Sequence, residues 1–327
     1  MKDVPVIDLS PYFAGSEAGK AAVAEAVDRA CREIGFLVIS GHGVSWDQVD
    51  EVFATTGAFF DLPPEEKARY RPADGVAPRG WHALATKNLA KTIGVDAPPD
   101  LREQFYIGPL EPWGRHYAHI PAAAKFYQDN IWPELPPDYR PVLSRWYRTM
   151  EGLARALMRI FALGLKLPEH HFDGMIDRHF ATVPANFYPA PAGDPLPGQL
   201  RAGAHTDFGS LTILGMDDAP GGLQVAMADG SWRDVSAERG QFIVNLGDMM
   251  QRWTNDHWKS TLHRVVNPPL GARSRSRRQT VGFFLHPNYD AEIACLPTCT
   301  GPDDPPRHPP ILAGEQMRLK MEARNVA

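Results

Sequence analysis

The sequence predicts a mainly β protein with helical cover: a jelly-roll core, preceded by an N-terminal α/β region and a long supporting helix. Three observations carry that expectation. After His179 the chain breaks into short strand-like runs separated by turn residues, with no helix between them, which fits a jelly roll and excludes a parallel α/β sheet. Upstream, Leu143, Trp146, Met150, Leu153, Leu157 and Phe161 make one continuous apolar stripe on a helix spanning 139–165. Near the N-terminus, strand-like runs at 4–9 and 36–40 bracket a helical pattern.

The elements follow in order. Val23, Val27, Ala30 and Ile34 recur at helical spacing over 19–34, and Gly35 is placed to end that helix. Residues 36–40 are almost wholly apolar, which predicts a buried strand. Ser45-Trp46-Asp47-Gln48 reads as a capping box opening a second helix, with Val49, Val52, Phe53 and Phe60 on its apolar side. His42 has no partner at ligand spacing and reads as a turn residue. Pro63 and Pro64 suit the first turn of a short helix. Residues 71–99 read as irregular cover contributing to a pocket, and 101–108 as a strand. His116 and His119, beyond it, read as surface polar groups. The strands expected after His179 are 181–188, 210–216, 222–225, 231–235, 242–246, 263–266 and 279–285. The C-terminal segment 310–326, with Leu312, Met317, Leu319 and Met321, should be helical. The expected regions are 1–120, packed on the core; 121–177, holding the spine helix; 178–290, the catalytic jelly roll; and 291–327, a C-terminal extension. Together they should form one compact unit, with the spine helix packed outside the sheet that carries the site.

A chain of 327 residues, 43% hydrophobic and 22% charged, can bury one large core or two modest ones. A net charge of −5 argues against a nucleic-acid binder. The basic run from Arg273 to Arg278 reads as a solvated loop ending in one functional arginine. Cys31, Cys295 and Cys299 cannot build a disulfide framework, and Cys295 and Cys299 lack a second pair with which to hold zinc. No apolar run approaches the roughly 20 residues that span a membrane, and no signal-peptide core follows Met1. A cytoplasmic protein without nucleic-acid or membrane partners is expected, with monomer and homodimer both open.

Between residues 186 and 286 four short elements carry the chemistry: Asn186-Phe187-Tyr188-Pro189, His205-Thr206-Asp207, His263-Arg264-Val265 and Arg278-Gln279-Thr280. On a strand, residues i and i+2 face the same way. His205 with Asp207, Asn186 with Tyr188, and Arg278 with Thr280 are therefore expected to point together. Two imidazoles and one carboxylate on one face of a metal, with the other face open, are the ligand set of non-heme Fe(II) oxygenases. A lone His-x-Asp is a weak signal; the ordered set of four is a stronger one. For the third ligand, His263 leads into a strand-like run and is preferred over His257, which sits in turn-like Thr254-Asn255-Asp256-His257.

With those elements in view, the sequence resembles the 2-oxoglutarate/Fe(II)-dependent dioxygenases of the isopenicillin N synthase-like family. Asn186-Phe187-Tyr188-Pro189 is similar to that family's Asn-x-Tyr-Pro element, and Ala204-His205-Thr206-Asp207 to its first metal motif. Asn245-Leu246-Gly247-Asp248 is similar to its Asn-x-Gly-Asp strand end. His263-Arg264-Val265-Val266-Asn267-Pro268 resembles the second metal motif, and Arg278-x-Thr280 stands where the family has Arg-x-Ser. Val4-Pro5-Val6-Ile7-Asp8-Leu9 and Gly41-His42-Gly43-Val44 extend the resemblance to the N-terminal half.

The resemblance implies a double-stranded β-helix holding Fe(II) at one end through His205, Asp207 and His263, with 2-oxoglutarate and O2 as cosubstrates. Arg278 would take the far carboxylate of 2-oxoglutarate bidentately, with the Thr280 hydroxyl beside it. Asn186 and Tyr188 would add hydrogen bonds. Decarboxylation to succinate and CO2 would accompany oxidation of an unactivated C–H bond in a small organic substrate; hydroxylation is the default, and desaturation or ring closure are the other outcomes. Asp207 at the carboxylate position argues against halogenation. Phe105, Phe187, Phe208, Leu223, Trp253 and Phe284 are candidate pocket walls, Phe284 by its parity with Thr280. Arg201 is a candidate partner for an acidic substrate, although its loop setting near Asp194 reads as surface. The alternatives are a 2-oxoglutarate-independent Fe(II) oxidase of the same fold and a non-catalytic small-molecule sensor. A zinc hydrolase is disfavoured because no general base stands nearby.

Overall fold

The computed structural model describes residues 3–75, 77–191, 193–220 and 222–323. Its principal strands are β1 (Val6–Asp8), β2 (Phe36–Ser40), β3 (Gly80–His82), β4 (Glu103–Ile107), β5 (Val183–Tyr188) and β6 (Ala202–His205), followed by β7 (Leu211–Met216), β8 (Leu223–Ala226), β9 (Trp232–Val235), β10 (Phe242–Leu246), β11 (His263–Val265) and β12 (Arg278–Leu285). Helices are α1 (Ser10–Phe13), α2 (Glu17–Glu33), α3 (Trp46–Phe60), α4 (Pro64–Ala68), α5 (Tyr139–Gly164), α6 (Asp248–Trp253) and α7 (Ala313–Ala323). Eight strands form one sheet in the order β1-β2-β10-β7-β12-β5-β4-β3, and four form a second, β6-β11-β8-β9. Strands of the jelly roll pair antiparallel, whereas β1 and β2 are parallel.

Strand β2 is buried on both sides because the larger sheet is covered on both faces. Phe36 and Val38 join Ile243 in packing against Leu223, Val225 and Val265 of the smaller sheet. Leu37, Ile39 and Val244 belong to the other core, under the helices. The helix α5 packs on α2 and α3 and lies over β7 and β12. It therefore supports the larger sheet, while the two strand-borne histidines of the site sit on the smaller one. That corrects the expected position of the spine.

Three further expectations change. Ser45 precedes α3 but its side chain makes no capping hydrogen bond, so the capping box does not form. The expected irregular stretch 71–99 contains β3, which extends the sheet edge beside β4. The strand expected to carry both His205 and Asp207 is β6, which ends at His205 and pairs with β11. Among the described residues no helix is long and apolar enough to cross a membrane.

Candidate active site

The site forms where β6 and β11 end side by side. His205 and His263 are directly paired across these strands, with ring centroids 4.3 Å apart. Asp207 lies just beyond β6 rather than on it, in an isolated parallel bridge to Gly247, where its carbonyl accepts the Asp248 N–H at 2.7 Å. A Cβ on Gly247 would fall 2.2 Å from the Gly209 carbonyl oxygen. This close approach of two backbones requires glycine, and it seats the Asp207 loop against the start of α6.

Each imidazole is oriented by its own strand. His205 Nδ1 lies 2.8 Å from the Gly203 carbonyl and His263 Nδ1 3.0 Å from that of Thr261. A carbonyl only accepts, so both Nδ1 atoms carry the proton and both Nε2 lone pairs are free. Those Nε2 atoms stand 3.8 and 3.7 Å from Asp207 Oδ1. The other oxygen, Oδ2, accepts from the Thr212 hydroxyl at 2.5 Å and the Asn245 amide at 2.7 Å. Three donor atoms thus converge within 4.8 Å of one another. A first-row metal bound at about 2.1 Å holds adjacent donors roughly 3 Å apart, so the set fits one ion once its donors draw together by up to about 2 Å.

The electrostatics suit a cation. Burial, and then the His263 ring, push the His205 imidazole well below its usual range, so the ring is neutral and able to ligate. Burial alone would raise the Asp207 carboxyl, but the two imidazoles and the bonds from Thr212 and Asn245 outweigh it and hold the group ionised. His257, the competing third ligand, lies elsewhere and pairs with Asp304 at 2.8 Å.

Beside the triad, β5 and β12 bring the second constellation together. Tyr188 is paired with Arg278 and Asn186 with Thr280. Gln104 donates to Asn186 Oδ1 at 2.7 Å, and Asn186 donates to Thr280 Oγ1 at 3.0 Å. The Thr280 oxygen is thereby used as an acceptor, which leaves its O–H free to donate. Arg278 is 1% exposed. One terminal nitrogen reaches the Ala219 carbonyl at 3.0 Å and Asp217 Oδ1 at 3.5 Å, the other only Met216 Sδ at 3.7 Å, and Nε has no partner. A buried guanidinium with unmet donors, on a cavity shared with His205, Asp207 and His263, fits an absent carboxylate.

Two family models match: the non-haem dioxygenase in morphine synthesis N-terminal family over residues 4–135, and the 2OG-Fe(II) oxygenase superfamily over residues 180–287. The 2-oxoglutarate-Fe(II) type oxidoreductase hxnY of Emericella nidulans is 33% identical over 319 residues, covering 96% of this chain and 88% of that protein. The chain belongs to the 2OG-Fe(II) oxygenase superfamily. Validamycin A dioxygenase of Streptomyces hygroscopicus subsp. limoneus is 31% identical over 97% of this chain and 85% of its own. Among solved structures, a full-length Neurospora crassa protein in complex with alpha-KG and thymine superposes with a TM-score of 0.85 at 28% identity, covering 98% of this chain and 96% of that one. As a 2OG-Fe(II) oxygenase, this protein uses Fe(II), 2-oxoglutarate and O2 to oxidise a small molecule.

A second cavity of this oxygenase also borders His205 and Asp207, and Met317 and Met321 of α7 line it. Of the expected pocket walls, Phe208 and Phe284 line it, and Leu223 lines the Arg278 cavity instead. Three others face away. Phe105 packs on Phe59 and Tyr139, Phe187 stacks on Phe60 at 5.0 Å, and Trp253 packs on Phe172. The alternation that turns Asn186 and Tyr188 inward must turn Phe187 outward, and likewise Phe105 between Gln104 and Tyr106. Arg201 is not a surface group: it is 2% exposed and donates to the carbonyls of Pro220 and Ser276, with its guanidinium over the Tyr188 ring. Arg102, Gln104, Thr212 and His286 were not foreseen, and Asn245 was noted only as part of a motif, without a role at the site. Asn245 had a readable signal, being the one polar side chain in an otherwise apolar strand.

Proposed function

We propose that His205, Asp207 and His263 hold the iron, that Arg278 and Thr280, with Asn186 and Tyr188 around them, hold 2-oxoglutarate, and that the adjoining cavity takes a small organic substrate for hydroxylation. What carries this reading is the convergence of three donor atoms within 4.8 Å beside a buried arginine whose Nε has no partner. Fe(II) and 2-oxoglutarate, when bound, supply the activation of O2 that couples decarboxylation to oxidation of a C–H bond.

The chain's own residues bind, orient and shield. Gly203 and Thr261 fix the ring orientations, and Thr212 with Asn245 fixes which oxygen of Asp207 faces the ion. Arg278 meets the far carboxylate in a site closed to water, where a charge-assisted pair is strongest. Phe208, Phe284, Met317 and Met321 give the substrate cavity apolar walls. The assay is succinate formation from 2-oxoglutarate by Fe(II)-loaded protein exposed to O2, with a small-molecule panel. Wild-type protein should release succinate and His263→Ala should not; equal release by both would refute the ligand assignment.

A further inference from the structure

The cavity assigned to the substrate has an inner wall of unusual polarity. Arg102, Gln104 and His286 line it, and in each one side-chain atom (Arg102 Nε, Gln104 Oε1, His286 Nδ1) is buried without a hydrogen-bond partner. The Arg102 side chain is only 10% exposed and its ion pair is with Asp100, 3.3 Å from one terminal nitrogen. Asp100 is itself held from behind by the backbone N–H groups of Gly203 at 2.9 Å and Leu89 at 3.3 Å. The guanidinium is thus held by Asp100 and Tyr188, and its Nε–H is left unmet. Gln104 is anchored in the same way through its bond to Asn186. Around this wall Phe180, Phe208, Phe284 and Met317 give the cavity apolar surface, and Lys87, its ammonium over the Tyr106 ring, also lines it.

We propose that the substrate is a small carboxylic acid with an apolar body, its carboxylate received by Arg102. The inference rests on the assignment of this cavity to the substrate. A guanidinium fork matches a carboxylate in geometry and charge, whereas a neutral substrate would leave a buried cationic N–H unmet. Arg102 also borders the cavity assigned to 2-oxoglutarate, so the same chemistry could be supplied by the cosubstrate's own carboxylates. The test must separate the two.

Anaerobic protein carrying Fe(II) and 2-oxoglutarate is titrated calorimetrically with aliphatic and aryl-substituted alkanoic acids, each against its primary amide. The same pairs are then run in the succinate assay. In the wild type the best acids should bind about tenfold or more tighter than their amides. Arg102→Gln should reduce that preference to within about threefold, and Arg102→Lys, which keeps the charge without the fork, should fall between. The 2-oxoglutarate Kd, measured separately on each folded variant, should stay within about twofold of the wild type. The proposal is overturned if no acid binds more tightly than its amide, or if Arg102→Gln keeps the preference. It is equally overturned if Arg102→Gln weakens 2-oxoglutarate as much as it weakens the acids, since Arg102 would then serve the cosubstrate. Failure of the underlying reading is seen earlier, as wild-type protein that binds no 2-oxoglutarate before any acid is added.

Discussion

The Asn245 side-chain amide donates to Asp207 Oδ2 at 2.7 Å from the middle of a wholly buried strand. A buried amide in such a strand is costly unless its hydrogen bonds are met. Here its partner is a carboxylate that must keep one oxygen turned toward two imidazoles, and the Thr212 hydroxyl, from the neighbouring strand β7, completes the same restraint. The larger sheet thus holds in place the carboxylate of the candidate metal triad, which the smaller sheet and its loop deliver.

Loss of that restraint should loosen the metal without unfolding the chain. Asn245→Leu, close in volume, is expected to weaken Fe(II) binding by about 10- to 100-fold, with Thr212→Val at the lower end. Anaerobic metal titration checks it; unchanged affinity in both variants would show that Asp207 needs no outer support.

Arg278→Met should act on the cosubstrate alone. Truncating one member of a buried charge pair costs about 2–5 kcal/mol, which corresponds to a roughly 30- to several-thousand-fold weaker 2-oxoglutarate Kd at about 1.4 kcal/mol per tenfold. Metal affinity should be unchanged. Arg278→Lys should recover little, because a point charge does not replace the fork.

Gly247→Ala forces a methyl group onto the Gly209 carbonyl oxygen, 2.2 Å from the ideal Cβ position. Overpacking of this kind costs about 1–3 kcal/mol. A lowered Tm together with weakened Fe(II) binding is expected, because the displaced loop carries Asp207. A variant with wild-type values of both would contradict the close approach.

Acid stability offers a test away from the site. The hydrogen bond from the His179 imidazole, 2.8 Å from Glu151 Oε1, is the main cause holding that carboxyl below its ordinary 4.5. A depressed carboxyl stabilises the fold above its unfolded value, and the contribution fades as pH falls through the folded one. Glu151→Gln should therefore lose less Tm than the wild type between about pH 5 and pH 3. Parallel Tm curves would contradict it.

The elements that follow local rules were legible in the sequence. The stripe from Leu143 to Phe161 reads as one helix because every apolar residue obeys one period, and α5 spans Tyr139–Gly164. The order of the motifs from Asn186 to Thr280 was equally plain, because each is a local pattern. The pocket walls were harder to read. Phe105 is as aromatic as Phe208 and Phe284, and only the pairing of β4 with β5 decides which face it presents, whereas alternation with Asn186 and Tyr188 already turned Phe187 away. Arg201 illustrates the same limit: its loop looks solvated in sequence, yet the fold closes Pro220 and Ser276 over it. Burial created by contacts distant in sequence leaves no local pattern.

The most direct test of the account is titration of anaerobic Fe(II)-loaded protein with 2-oxoglutarate, followed by the visible charge-transfer band of the complex. The account predicts a saturable band in the wild type, none in His263→Ala, and one needing far more 2-oxoglutarate in Arg278→Met. A wild type without the band, or a His263→Ala variant with an undiminished one, would contradict the assignment of this triad and arginine as the iron and 2-oxoglutarate site.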